Sequence, residues 1–496
     1  MHIVSTYIRE QKRYSKDELK EIFKLNDQEI RNFVFKLKAY GVLKMVISGS
    51  NQKDLSDLTD EDMEVVDVDE EAGHYYYVFV FVGILTVGNI IIKCYPKYLK
   101  LNPSPLDEMK KVLKVINRYN AKEQVINLFS GDDEQKAFNL ISIILFLIHD
   151  YHENGVYSNQ QDMIEINGEG EILWDPTINE TFPIIINNRP FYTELHSRNV
   201  VSNEVDYFTR LHKYIITECS RKLKAGDLLE VFELDEIHIS EEDIADFGDK
   251  DYILYRLQQE LNTQFITKKQ RLLKTLYTYI AHKESFEDSY GLSVYGTNSF
   301  NLVWEKVCAE VFDNKLATPL GQLRFPKVLD HDYQHRRNET LLEIIEKPAW
   351  YYVDSDQSRY QHKAKDTLIP DLISLYETKN GMCFGIFDAK YYDIKLNKKR
   401  VESNPGVGDV TKQYLYQLAY NPFIKKHGFT KIKNAFLIPS EHDVAQLNGE
   451  AEMDMLKGLS DPPLSNILVV KLPASILYDY YLRGKKVNIT EEYSFL

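Results

Sequence analysis

Apolar residues recur at helical spacing near the start of the chain, with Leu19, Ile22 and Phe23 in one run and Ile30, Phe33, Val34 and Leu37 in the next. Each run opens on a capping pair, Ser15 with Glu18 and Asn26 with Glu29, so residues 15–46 are predicted to form two short helices, the second stopped by Gly41, and the start of a strand. Tyr75 to Leu85 and Ile90 to Cys94 are rich in β-branched and aromatic residues and flank the turn signal Val87-Gly88-Asn89, which predicts a hairpin. Two helices followed by a hairpin is the pattern of a winged helix. Its second helix would enter a DNA groove, or the unit would be a small protein-docking domain; the acidic stretch beside it favours docking. Residues 107–152 read as helical and end in the apolar window Phe138 to Ile148, which is shorter than the roughly 20 residues that span a bilayer and reads as a buried helix. Strand-like pieces follow at Met163 to Ile166, Glu171 to Trp174 and Phe182 to Ile186, then an amphipathic helix from about Glu204 to Lys224 and one or two long helices over 252–286. No period of 20 to 50 residues appears, which argues against a solenoid.

The C-terminal third carries the sharpest pattern. Phe300 to Phe312 is an amphipathic helix, Trp350 to Val353 a strand, and IPDLISLYETKNGMCFGIFDAKYY, from Ile369, reads as strand, turn and strand. Asn380-Gly381 is the strongest two-residue hairpin signal, and taking it as the loop pairs Lys379 with Met382. Counting back places Asp371 opposite Lys390 and Ile373 opposite Asp388. Side chains two apart share a face, so Asp371, Asp388 and Lys390 project from one side, with the carboxylates ~7–8 Å apart at the backbone. DVTKQYLYQLAY then reads as a helix capped near Asp409, and KNAFLIP, Lys433 to Pro439, as a buried strand.

At 496 residues the chain exceeds one hydrophobic core, and the pattern predicts a multidomain α+β protein: a winged-helix-like and β module over 1–105, a mixed helical and β region over 106–289, and a further α/β domain over 290–496. The cysteines, Cys94, Cys219, Cys308 and Cys383, are scattered without a C-x-x-C pair, against a disulfide framework or zinc ribbon and in keeping with a reducing cytoplasm. No signal peptide, lipidation signal or membrane segment is expected. The net charge of −15 opposes binding to nucleic acid, but it is unevenly placed. Asp54 to Glu71 holds ten acidic residues and no basic one, and Glu233 to Asp251 is also acid-rich. Basic residues gather at Lys268, Lys269, Arg271 and Lys274, at Lys395, Lys398, Lys399 and Arg400, and at Lys425, Lys426, Lys431 and Lys433, each a candidate contact or a solvated face.

Two carboxylates and a lysine on one face suit phosphodiester hydrolysis, which needs an attacking hydroxide and relief of charge on the phosphate. Mg²⁺ supplies both when held by one or two carboxylates with its other positions left to water and phosphate. Asp371 and Asp388 are the expected ligands, the backbone carbonyl of Ala389 a third oxygen, and Lys390 the cation that orients water or neutralises phosphate. Glu305, on the upstream helix, is a further candidate carboxylate. Lys412, Gln413, Tyr416 and Gln417, one turn apart in pairs, are candidate contacts to the DNA backbone or simply a helix surface. The bland alternative is a cross-strand salt bridge between Asp371 and Lys390, and two acids and a lysine on an otherwise buried hairpin make that a costly arrangement.

The order of helix with Glu305, strand near Trp350, strand with Pro370-Asp371, strand with Asp388-Ala389-Lys390, helix with Gln413 and strand at Phe436 resembles the αβββαβ core of PD-(D/E)XK nucleases. FDAKYY followed by DVTKQYLYQLAY is similar to the LlaJI family of restriction endonucleases, whose relatives include McrC, and FVGILTVGNIIIKCYPKYL and the stretch from Gly168 to Lys224 extend the likeness over most of the chain. The resemblance implies that Asp371 and Asp388 are metal ligands, Lys390 the catalytic lysine and Glu305 the helix acid, in a Mg²⁺-dependent nuclease that cuts foreign double-stranded DNA. The Q-x-x-x-Y spacing of RecB-like nucleases is not present, since Gln417 lies four residues after Gln413. The resemblance further implies a McrB-like AAA+ GTPase partner, contacted through the first ~150 residues, and a cognate methyltransferase in the same system. The competing readings are a non-catalytic adaptor that couples an NTPase to DNA, and a repair or recombination nuclease.

Overall fold

A computed structural model of the chain describes residues 3–47, 75–127, 140–158, 160–202, 206–287, 292–392, 394–396, 398, 401–402, 405–460 and 463–496. The acidic stretch Asp54 to Glu71, together with Phe138, Glu204, Lys399 and Arg400, lies outside the described residues. The chain forms two compact units, a smaller one of Met1–Ile3, Thr86–Asn89 and Lys136–Val294 and a larger one of Val4–Leu85, Ile90–Gln135 and Tyr295–Leu496.

The first elements are β1 (Val4–Arg9), β2 (Arg13–Tyr14), α1 (Lys16–Phe23), α2 (Asp27–Ala39), β3 (Leu43–Ile47), β4 (Tyr75–Phe79), β5 (Val82–Val87), β6 (Ile90–Tyr95) and α3 (Leu106–Asn127). Both capping boxes form: the Glu18 amide donates to Ser15 Oγ at 3.1 Å, and the Glu29 amide to Asn26 Oδ1 at 2.9 Å. The helices bury the apolar residues that the spacing selected, Leu19, Phe23, Ile30, Phe33, Val34 and Leu37. The strands group differently from expectation. The run from Tyr75 to Leu85 is two strands in two sheets, broken after Phe79: β4 joins the antiparallel sheet β2-β4-β3, whereas β5 lies in the sheet β1-β6-β5-β12. An unbroken apolar run carries no mark of where its partners change, so the sequence read it as one strand. The turn at Gly88 between β5 and β6 is as expected, with φ +54°.

The smaller unit contains α4 (Leu140–Asn154), β7 (Gln160–Ile166), β8 (Glu171–Ile172), α5 (Trp174–Glu180), β9 (Ile184–Ile186), β10 (Arg189–Phe191), β11 (His196–Ser202), α6 (Tyr207–Ala225), α7 (Leu228–Val231), α8 (Lys250–Thr263) and α9 (Thr267–Glu287). The apolar face of α4, including Ile141, Ile144, Leu147 and Ile148, is buried. No helix among the described residues is long and apolar enough to cross a membrane. The small sheets β7-β11-β8 and β9-β10, with α5, have the opposite character, because Ile166, Trp174, Ile178, Ile185 and Phe191 stand in solvent and Phe182 is 95% exposed.

After β12 (Leu292–Thr297) come α10 (Phe300–Val311), α11 (His331–Gln334), β13 (Ala349–Val353), β14 (Arg359–Lys363), β15 (Leu372–Thr378), β16 (Gly381–Ala389), β17 (Lys395–Leu396), β18 (Val401–Glu402), α12 (Val407–His427), β19 (Lys431–Ser440), β20 (Gln446–Ala451), α13 (Asp454–Lys457), β21 (Ile467–Pro473), α14 (Ala474–Arg483) and α15 (Ile489–Glu492). The central sheet runs β15-β16-β19-β21-β20, antiparallel at its two outer pairs and parallel between β16, β19 and β21. Ile373, Phe384 and Ile386 pack with Tyr416, Tyr420 and Phe423 of α12, while Phe387, on the other face, meets Phe312 just after α10, with ring centroids 6.0 Å apart. Strand β16 is therefore covered on both faces, which explains its near-continuous apolar sequence. The strand expected near Trp350 does not join this sheet: among the described residues β13 pairs with β14 alone, and every residue of the two is exposed. AWYYV looks like a core strand by composition, yet among the described residues it is exposed throughout.

Candidate active site

The hairpin β15–β16 sets the position of the charged residues, and its register differs from the sequence count by two residues. Leu372 pairs with Phe387 and Thr378 with Gly381, so the two-residue turn is Lys379-Asn380. The reason is local. A type I′ turn would need positive φ at both Asn380 and Gly381, but of these two only Gly381 takes it, at +109°. Glycine thus closes the turn from its far side, and a Cβ there would come within 2.9 Å of Thr430. A shift of two preserves the face of every side chain. It does change who opposes whom: continuing the ladder by one step sets Asp371 against Asp388, not against Lys390.

The two acids consequently crowd. Burial, then the negative charge of Asp388 and a hydrogen bond between the two groups, push the Asp371 carboxyl up to about 8. Its Oδ2 accepts from the Ala389 amide at 2.9 Å, and its backbone carbonyl accepts from Asn314 Nδ2 at 3.1 Å, so strand ends and loop hold it in place. Asp388 is buried near the end of β16, and its Oδ2 lies 3.0 Å from Lys390 Nζ. Lys390 also reaches Asp409 at 3.1 Å, and its amide donates to the Leu437 carbonyl at 2.9 Å. Burial alone would lower its ammonium, but Asp388 and Asp409 outweigh that and raise it. Glu305 on α10 belongs to the same cluster. Burial raises its carboxyl, Lys390 lowers it and Asp388 raises it further.

Four carboxylates thus surround one ammonium, and the surplus is negative. Among the described residues no three His, Cys, Asp or Glu side chains converge so as to enclose a metal by themselves. A hard cation that keeps most of its water needs no such cage. Two neighbouring carboxylates at a buried site suit Mg²⁺ held at one or two positions. Asp371 and Asp388 would hold it, with Glu305 and the backbone of Ala389 beside them.

The structure brings together Asp371, Asp388, Lys390, Glu305 and Ala389, all selected from sequence, and adds residues that the sequence did not single out. Asp409, read there only as a capping position, sits in the first turn of α12 as the second partner of Lys390. Asn314, whose Oδ1 accepts from the Ile373 amide at 3.0 Å, gave no signal at all. The glutamine helix is different from expectation. Gln413 is 0% and Gln417 2% exposed; Gln413 Nε2 donates to the carbonyls of Ile386 and Ala435, and Gln417 Oε1 accepts from the Ser465 amide. Tyr416 is buried too, donating to the Ile369 carbonyl at 2.9 Å, and its hydroxyl is raised to about 12 by burial and then by Asp388 and Asp371. Of the four residues proposed for DNA contact, Lys412 alone is exposed. The one-turn spacing was read as an outer face when it is the face packed on the sheet.

Comparison with known proteins adds family to geometry. The profile of the LlaJI restriction endonuclease family matches residues 81–343 and 327–478. The type II restriction enzyme BsuMI component YdjA of Bacillus subtilis (strain 168) is 28% identical over 431 residues, 84% of each chain. Among solved structures, a half-complex from the tetradecameric assembly of Thermococcus gammatolerans McrB AAA+ hexamers with bound McrC aligns over 97% of this chain and 99% of that one, with TM-score 0.35 and 12% identity. The cryo-EM structure of the Thermococcus gammatolerans McrBC complex aligns over 65% and 90%, with TM-score 0.26 and 13% identity.

Proposed function

The chain belongs to the LlaJI restriction endonuclease family, and on that premise we propose that it is the Mg²⁺-dependent DNA endonuclease subunit of a restriction system, cutting foreign duplex DNA at Asp371, Asp388 and Lys390 in a PD-(D/E)XK core within residues 290–496. The observation that carries this reading is the pair Asp371 and Asp388, forced together where burial already disfavours charge. A fold gains no stability from two such acids; a cation site does. Bound Mg²⁺ supplies charge relief at the phosphate and an acidified water. The chain's own residues would do the rest: Asp371 and Asp388 would hold the ion, the Ala389 amide orients Asp371, Asp409 would keep Lys390 beside the phosphate, and Glu305 would be placed to accept a proton from water.

The test is cleavage of duplex DNA by the purified subunit after EDTA treatment, with each metal added back. Mg²⁺ or Mn²⁺ restores cutting, whereas Ca²⁺ supports binding without turnover, because it tolerates the loose geometry but activates water poorly. Full cutting in EDTA would remove the metal from the mechanism, and unimpaired cutting by Asp388→Asn would remove the site.

Efficient cutting requires a separate NTP-hydrolysing subunit, a McrB-like AAA+ GTPase, with a cognate methyltransferase protecting host DNA in the same cytoplasm. Two features support this. No G-x-x-x-x-G-K-[ST] sequence occurs in the chain, so it has no recognisable P-loop of its own, and a net charge of −15 makes it a poor solitary binder of duplex. The helix pair α1–α2 and the exposed apolar sheets of the smaller unit are docking surface more than chemistry. Efficient, site-specific cutting without nucleotide or partner would refute the dependence.

A further inference from the structure

The ribbon β13–β14 has no place in the central sheet, and its composition is not that of an idle loop. Every residue of the two strands is exposed, on both faces of the ribbon, and Trp350 is 70% exposed. A bare two-stranded ribbon is at best marginally stable in water, so one that presents Trp350, Tyr351, Tyr352 and Tyr360 to solvent is shaped for something that covers it. Register sorts the side chains. Trp350 and Tyr352 share a face with Tyr360 and His362, whereas Tyr351 shares the other with Arg359 and Lys363. The Arg359 guanidinium lies over the Tyr351 ring, 4.6 Å from its centroid, and the Tyr352 and Tyr360 rings are 6.2 Å apart. Between Lys347 and Lys365 the acids, Asp354 and Asp356, are confined to the tip, where their carboxylates accept from the amides of Ser355 and Ser358 and so serve the turn. The other charged residues of that span are Lys347, Arg359, Lys363 and Lys365, with Glu346 and Asp366 flanking it at the base, in a chain of net charge −15.

The base is anchored to the site. The Ala364 amide donates to the Pro348 carbonyl at 2.8 Å, Thr367 Oγ1 to the Glu346 carbonyl at 2.8 Å, and the Ile369 carbonyl accepts from Tyr416, two residues before Asp371. The eight steps from Lys363 to Asp371 reach at most about 28 Å. We propose that β13–β14 is an arm that enters a groove of the duplex and seats the scissile strand at Asp371 and Asp388. A major groove about 12 Å wide admits a two-stranded ribbon, aromatic faces and guanidinium groups supply sequence-tolerant contacts, and Arg359 and Lys363 meet phosphates. This rests on the nuclease reading, since the arm has its use only beside a cutting site.

The experiment measures binding of the full chain to a fluorescent duplex in EDTA at low salt, so that affinity is read without cleavage. Arg359→Ala/Lys363→Ala weakens binding about tenfold and lowers the slope of log K against log salt by about 2, one for each phosphate left without its cationic partner. Trp350→Ala/Tyr352→Ala weakens it about tenfold with the slope unchanged. Wild-type affinity in both ribbon variants, or no duplex binding by the wild type at low salt, would overturn the arm. So would a ribbon variant that keeps its DNA affinity but loses self-association or the NTPase subunit, because the occupant is then a protein. A chain that binds through the ribbon yet never cuts in Mg²⁺ leaves the arm standing and sinks the nuclease reading, so the two failures are distinct.

Discussion

Two regions of this protein break the same rule in opposite directions. Around Asp371 and Asp388, charge is inside; over residues 164–191 of the smaller unit, apolar side chains such as Ile166, Trp174, Ile185 and Phe182 are outside. Each arrangement costs the isolated chain free energy, the first through desolvated, mutually repelling carboxylates and the second through apolar surface left in water. A folded chain keeps such costs where something else removes them. A buried acid pair is relieved by a small, hard, divalent ion, and an apolar surface by a large partner. On the proposed function, the difference would separate chemistry from assembly along the chain.

Four experiments break or sharpen that contrast. The largest effect is expected at the inner region: Asp388→Asn or Lys390→Ala lowers DNA cleavage about a thousandfold or more, with circular dichroism unchanged, because the charged groups act as one unit. A loss confined to a few-fold would make the cluster structural. At the outer region, Phe182→Asp/Ile185→Asp weakens binding of the NTPase subunit by about thirtyfold in calorimetry, the scale of removing an interface hot spot, while duplex binding is unaffected. Equal affinity would place docking elsewhere, with α1–α2 the next surface to test.

Smaller and more diagnostic is the pH dependence of metal use. Asp371 holds its proton up to about 8 without metal, so binding must displace it. The Mg²⁺ concentration for half-maximal cutting falls about tenfold per pH unit between about pH 6 and 8, and a flat profile would take Asp371 out of the metal shell. The smallest effect is on stability. Because the folded carboxyl is raised above its unfolded value, the folded chain binds the extra proton between the ordinary carboxylate range and about 8, and stability falls as pH rises through that window. In EDTA near pH 8, Asp371→Asn therefore melts about 2 °C or more above wild type in calorimetry, with the gap closing towards pH 4. A lower melting temperature would mean that the acid pair is not strained.

What could be read from the sequence was whatever is local or periodic. Capping boxes, the helical faces of α1 and α2, the Gly88 turn and the identity of the charged residues at 371, 388 and 390 are all set by neighbours within a few positions, and period two kept those three on one face even with the register misjudged. Only tertiary structure decided which apolar segments find partners. Tyr75 to Leu85 is split between two sheets, AWYYV stands in solvent although it has the composition of a core strand, and Gln413 and Gln417 face the sheet although they look like surface. Burial belongs to pairs of distant segments, not to a residue type, so composition cannot assign it. Asp409 makes the same point at the site itself: a capping residue by its local sequence, it becomes the second partner of Lys390 only because the start of α12 is brought to the end of β16.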